Sequence, residues 1–221
     1  MNWPRKYFIQ IFPELFLLVG LVIGCGHADD YYRHGEQLID LNCAECVGAS
    51  KTGIEEGIAQ INKALSRGYP DKGSAYKVLA DAYNTLVVAY SAPGSDERRR
   101  YRENRQRSFE KALELSPNDA ALTFKYALTL DNTSAQKSAL EEVIRRTPNY
   151  PDAHFVLGML LTENGKVDDG VKELETAVQL APPDDAKTYG RRLIYILNEN
   201  GRPDEAQKVQ EQLDRKNTHS Q

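Results

Sequence analysis

Thiols, imidazoles and long apolar runs are all scarce in this chain of 221 residues. Its three cysteines, Cys25, Cys43 and Cys46, crowd the start, and none follows Cys46. The body therefore carries no thiol chemistry and says nothing of its redox compartment. Only four histidines occur: His27 and His34 near the start, His154 in the body and His219 in the polar tail. There is no paired-histidine zinc motif, no phosphate-cradling glycine loop and no nucleophile elbow. With no catalytic constellation, the expectation is a protein that is not an enzyme, with no cofactor, no metal and no small-molecule substrate. Net charge is only −4 in a chain that is 27% charged, so no nucleic-acid partner is expected.

One dense apolar stretch does exist, within residues 7–24, after Arg5 and Lys6. It is uninterrupted only from Leu15 to Gly24, well short of the ~20 residues that span a bilayer. Extending it back to Tyr7 would bury Glu14 beside the helix-breaking Pro13, at about 2.5–3.5 kcal/mol. A basic start, a short apolar stretch and small residues at its end form the layout of a secretory signal. The end, Val22-Ile23-Gly24-Cys25, resembles the lipobox of bacterial lipoproteins. In that family the leader is removed and the cysteine is acylated, with enough chains to hold a protein stably on a membrane. The resemblance implies a signal peptide over residues 1–24, lipidation at Cys25 and a place in the bacterial envelope. Gly26 after the cysteine favours, by that family's sorting rule, the outer membrane and its periplasmic face. A plain secreted or periplasmic protein and an uncleaved N-terminal anchor are the alternatives.

Residues 25–51 read as a tether. Within it, Gly35-Glu36 and Cys43-Ala44-Glu45-Cys46-Val47-Gly48 resemble the haem-attachment stretch of c-type cytochromes. Val47 stands where that family has its iron-binding histidine, so covalent haem is not expected. His34, Cys43 and Cys46 make three nearby zinc ligands where four are usual. A redox pair wants a helix N-terminus to lower its first thiol's pKa, and no strand-helix-strand pattern surrounds this one. Cys43 and Cys46 are therefore expected to form a local disulfide or to stay idle. A thiol-redox or metal-binding periplasmic protein is the competing functional class.

From Thr52 onward the chain repeats itself. Phe109-Glu-Lys-Ala112, Leu140-Glu-Glu-Val143 and Leu174-Glu-Thr-Ala177 each lead, five residues on, to Pro117, Pro148 and Pro182. Pro148 and Pro182 stand 34 positions apart, and Pro117 and Pro148 stand 31 apart. Upstream of each proline lies a large, large-small, large pattern: Tyr76, Leu79-Ala80, Tyr83; Tyr126-Ala127, Leu130; His154, Leu157-Gly158, Leu161; and, less well, Leu193-Ile194, Leu197. Small residues let a neighbouring helix approach, and positions i, i+3, i+4 and i+7 line one buried stripe. Asn164-Gly165 and Asn200-Gly201 supply turns between helices, and the prolines end the second helices. The pattern resembles the tetratricopeptide repeat. That resemblance implies an all-α solenoid of helical hairpins over residues 52–213, in about three and a half repeats. A half-matching second helix at Gly53–Ala64 has its partner on residues 38–51, and residues 214–221 form a disordered tail.

In the tetratricopeptide family the first helix of each hairpin lines a concave groove, which implies a protein or peptide partner. Carried over by position, its stripes are Lys77, Asp81 and Asn84; Phe124, Leu128 and Asp131; Phe155, Met159 and Thr162; Arg191, Tyr195 and Asn198. The apolar members are either anchors for a partner's segment or ordinary core beneath a neighbouring helix. Lys77, Asn84, Arg191 and Asn198 give only fragments of the family's carboxylate clamp. A second candidate surface is the long first hairpin, whose second helix carries Arg98, Arg99, Arg100, Arg102, Arg105 and Arg107. These either dock phosphate headgroups or an acidic partner, or form a solvated helix offset by Glu97 and Glu103. The function expected is a membrane-anchored interaction scaffold, serving assembly of an envelope complex.

Overall fold

The computed structural model describes residues 27–41 and 50–218, which form ten α-helices and no strand. These are α1 (Ala28–Leu41), α2 (Lys51–Ser66), α3 (Lys72–Ala89), α4 (Asp96–Leu115), α5 (Ala120–Ala127), α6 (Thr133–Arg146), α7 (Pro151–Glu163), α8 (Val167–Leu180), α9 (Pro183–Glu199) and α10 (Pro203–Thr218). Two compact units divide the chain, Met1–Ser108 and Phe109–Gln221, with α4 running across the division.

In the first unit α1 and α2 lie antiparallel and very close. A Cβ on Gly35 would come 2.7 Å from the Gly57 carbonyl oxygen, and one on Gly57 would come 2.8 Å from that of Gly35. Backbones approach this closely only where both helices carry glycine at the crossing. Ile54, Ile61, Ala64, Ala75, Leu79 and Leu86 fill the core beside it. The partner of α2 is thus Ala28–Leu41, not residues 38–51, and the supposed tether contains a first helix. Five hairpins result among the described residues, rather than about three and a half. The spacing conceals the first of them for two reasons. Residues 42–49 intervene before α2, and exposed His34 precedes Gly35 where Leu79 and Leu157 precede Ala80 and Gly158.

The second unit follows the repeat closely. Phe109, Ala112, Leu140, Val143, Leu174 and Ala177, the residues that recur before the prolines, are all buried. On α7 the buried face is His154, Leu157, Gly158 and Leu161. Gly158 and Gly170 repeat the crossing of the first hairpin, for a Cβ on Gly158 would lie 2.8 Å from the Gly170 carbonyl oxygen. Gly165 and Gly201 take φ of 78° and 70°. Behind them the Lys166 and Arg202 amides donate back to the Leu161 and Leu197 carbonyls, closing α7 and α9. Pro117, Pro148 and Pro182 fall just past α4, α6 and α8. Pro151, Pro183 and Pro203 open α7, α9 and α10, where a missing N–H costs nothing.

Helices α3 and α4 have 18 and 20 residues, against 13 and 14 for α7 and α8. The overrun is about 8 Å. Ser95 caps α4, its Oγ accepting from the Arg98 amide at 3.1 Å. At the other terminus α10 continues to Thr218, into the stretch read as a disordered tail. Pairs one turn apart, Gln210 to Asp214 and Arg215 to Glu211, support these last turns. No helix among the described residues is long and apolar enough to cross a membrane.

Candidate protein-binding faces

In the second unit the first-helix stripe divides into covered and open residues. Phe124 is half-buried, its ring 5.1 Å from that of Tyr150, and Phe155 stacks on Tyr189 at 4.3 Å and 18°. Half-buried Met159 accepts at Sδ from Arg192 Nε at 3.3 Å, and Arg192 also lies 5.4 Å over the Tyr195 ring. Phe124, Phe155 and Met159 are thus each partly covered by side chains from the start or first helix of the next repeat. Leu128 and Tyr195 stay open, at 49% and 54% exposure, with Asp131, Arg191 and Asn198 also exposed. Thr162 turns its hydroxyl back to the Met159 carbonyl. Tyr189 donates its hydroxyl to Asp152, and burial together with that carboxylate pushes its phenol above the usual range.

Three members of this face escaped the sequence reading: Tyr150, Tyr189 and Arg192. A signal for Tyr189 was present, since it follows Pro182 by seven residues, as Phe124 follows Pro117 and Phe155 follows Pro148. A cavity of about 320 Å³ was also missed. It lies among Thr133, Ser134, Lys137, Leu160, Asn164 and Lys166, at the start of α6 and the end of α7. Lys137 is ion-paired to Glu141 there. His154 is a core residue. It is 7% exposed, with Nε2 donating to the Pro148 carbonyl at 2.8 Å and Nδ1 2.6 Å from Glu173 Oε2.

The corresponding stripe of the first unit is polar. Lys77 is half-buried and Asp81 exposed. Asn84 is committed within the fold, its Oδ1 accepting from Arg105 Nη1 at 3.0 Å. Arg105 stands 12 residues before Pro117, as Gly170 stands 12 before Pro182, so a large side chain fills here what α7–α8 leaves to glycine.

The arginine run of α4 divides in the same manner. Arg105 is buried at 8% exposure, and burial, then neighbouring Arg102 and Arg98, lower its guanidinium's affinity for its proton. Half-buried Arg98 donates to the Ser91 carbonyl at 3.3 Å, and Arg102 is half-buried too. Arg99, paired with Asp96, and Arg100 and Arg107 face outward. Beside Arg100 lies a cavity of about 300 Å³, lined by Glu55, Ile58, Tyr83, Glu97, Tyr101 and Asn104. Its carboxylates are engaged: Tyr101 donates to Glu55, and Lys51 pairs with Glu97, which holds the Glu97 carboxyl below its usual range.

No group of three or more metal-ligating side chains occurs among the described residues. Cys25, Cys43 and Cys46 lie outside them, as do residues 1–24, where a signal peptide is expected.

Among solved structures, a crystal structure of MamA matches with TM-score 0.58 and 17% identity, over 77% of this chain and 92% of that one. MamA from Desulfovibrio magneticus RS-1 gives 0.61 and 16%, over 86% and 95%. YrrB, described as a TPR protein with an unusual peptide-binding site, gives 0.55 and 17%, over 75% and 74%. At these identities the likeness establishes the fold, which is the tetratricopeptide type. No curated protein matches the sequence. The family described as plant specific mitochondrial import receptor subunit TOM20 matches residues 24–158, which end within α7. Since that match takes in more than half of the chain, this protein belongs to that family, as a member built of tetratricopeptide-type hairpins.

Proposed function

We propose that the protein is a non-enzymatic, membrane-anchored scaffold of the bacterial envelope that captures an apolar segment of a protein partner. The capturing face is the first-helix stripe of the second unit. The observation that carries this reading is that Leu128 and Tyr195 stay open on a stripe whose Phe124, Phe155 and Met159 are only half covered. Both comparisons with a stated activity concern polypeptide recognition: an import receptor and a peptide-binding repeat protein. Half-covered side chains have about 1 kcal/mol each left to gain from further burial. Five of them barely offset the ~4–15 kcal/mol that association costs. Capture by this face is therefore weak unless anchor and partner share one membrane, which raises their effective concentration. Such transient capture suits assembly of an envelope complex.

Photo-crosslinking residues placed at Leu128 and Tyr195 test the face in the intact envelope. A shared adduct from both positions, absent from a control at Gln207 on α10, is expected, and it survives Cys43→Ser with Cys46→Ser. Loss of the adduct in those cysteine variants would transfer the function to the thiols. The family match favours a second setting, that of a mitochondrial import receptor subunit, with an uncleaved leader as the alternative anchor. Intact mass of the membrane-bound protein separates the two. A chain that begins at an acylated Cys25 follows if acyl chains hold the protein, and a chain that keeps residues 1–24 follows if the leader does.

A further inference from the structure

We propose that the end of the first hairpin where α1 begins lies against the membrane surface, with the arginine-bearing start of α4 held away from it. The inference rests on the anchored reading above. Only Gly26 and His27 separate Cys25 from α1, a reach of at most about 11 Å. Whether acyl chains or a retained leader fixes residue 25 to lipid, the first turn of α1 falls among or just above the headgroups. Gly35 and Gly57 lock α1 along α2 within a few residues of the anchor, so the first hairpin moves as one piece.

Side-chain contacts fix what shares that end. Tyr31 has Lys63 Nζ 4.2 Å and the Arg67 guanidinium 4.9 Å from its ring, and Tyr32 stacks on Tyr69 at 4.4 Å. Lys72 opens α3 there, and Arg33 follows in α1. Tyr32 is core, but half-buried Tyr31 and Tyr69 and the long basic side chains suit a headgroup layer, with apolar bodies inward and charge toward phosphate. Of the acids at this end, Asp71 accepts from the Ser74 amide at 3.0 Å and Asp30 from the His27 amide at 3.2 Å, while Asp29 is exposed.

The opposite end is equally well marked. Lys51, the first residue of α2, pairs with Glu97, and Glu55 accepts from Tyr101. The start of α4 is therefore level with the start of α2, and α2 has 16 residues, about 24 Å. That is about three Debye lengths at physiological salt, so Arg99 and Arg100 are screened from the protein's own membrane. They face the aqueous side instead.

The test uses the full chain in vesicles of phosphatidylethanolamine and phosphatidylglycerol, in a Cys43→Ser, Cys46→Ser background. A fluorophore is attached through Ser66→Cys, at the α1 end, or through Ala92→Cys, beside the start of α4, and the signal of the background labelled alone, from any free Cys25, is subtracted. Quenching by headgroup spin-labelled lipid is expected to be several-fold stronger at residue 66. Equal or stronger quenching at residue 92, on protein that floats with the vesicles, overturns the orientation and leaves the anchor standing. Protein that does not float overturns the anchor, and this inference with it.

Discussion

Hairpins α1–α2 and α7–α8 are built alike but differ in how they declare themselves. Each crosses on a glycine pair, Gly35 with Gly57 and Gly158 with Gly170, whose backbones touch where any Cβ would intrude. In α7–α8 a turn at Asn164-Gly165 keeps the repeat spacing, and large apolar residues surround the small one. In α1–α2 residues 42–49 break the spacing, and a histidine replaces the leucine beside Gly35. The difference teaches that the backbone crossing defines this hairpin more strictly than the side chains around it.

The comparison breaks most readily at the glycines. Gly35→Val and Gly158→Val are each expected to cost about 3 kcal/mol, because carbonyl oxygens rather than side-chain ends must move. Amide hydrogen exchange locates the loss. Gly35→Val should remove protection from α2 and α3, Gly158→Val from α8 and α9. If Gly35→Val left α2 protected, α1 would be a tether after all.

The second unit was legible because its repeat is carried by buried residues at fixed distances from prolines, so sequence period and packing period coincide. Phe109, Leu140 and Leu174 could be placed in the core from spacing alone. Residues 28–41 were not legible. Their marker, Gly35, sits in a stretch that also resembles haem attachment, and a local motif there outweighed helical periodicity. The candidate face was legible by position but not by exposure. Phe124 and Phe155 lie on the stripe where repeat register puts them, yet Tyr150 and Tyr189 cover them from the next repeat. A pattern within one helix does not show what its neighbour lays across it. Asn84 fails for the same reason, since its partner Arg105 lies on another helix.

The residue four before each crossing glycine sharpens the comparison further. In α7 it is His154, buried, with both ring nitrogens against acceptors. In α1 it is Tyr31, half-buried beneath Lys63 and Arg67. His154→Ala strands the Pro148 carbonyl and Glu173, and should cost about 2 kcal/mol. Tyr31→Ala removes two ring–cation contacts and a half-buried ring at the edge of the core but strands no buried polar group, for about 1 kcal/mol. Thermal unfolding of the two variants ranks them. A larger loss from Tyr31→Ala would mean that α1 is packed more tightly than its exposure indicates.

The smallest expected difference concerns how helices start in the two units. Asp71 caps α3, accepting from the Ser74 amide at 3.0 Å, and Asn132 caps α6, accepting from the Ala135 amide at 2.9 Å. Each is worth about 1 kcal/mol at neutral pH, judged by substitution to alanine. Only the aspartate titrates. The Ser74 backbone and side-chain hydrogen bonds hold the Asp71 carboxyl below its ordinary value of 3.8. A depressed carboxylate contributes its full stability above the unfolded pKa, and that contribution fades as pH falls through the folded one. The gap between wild type and Asp71→Ala should therefore narrow as the solution is acidified below about pH 4, the ordinary range of an aspartate. The gap for Asn132→Ala should hold steady over the same interval, and Asp71→Asn should behave like the asparagine cap. Chemical denaturation at neutral and acid pH measures all three. An Asp71→Ala gap that did not close in acid would show that residue 71 acts through packing, leaving the two caps no different in kind.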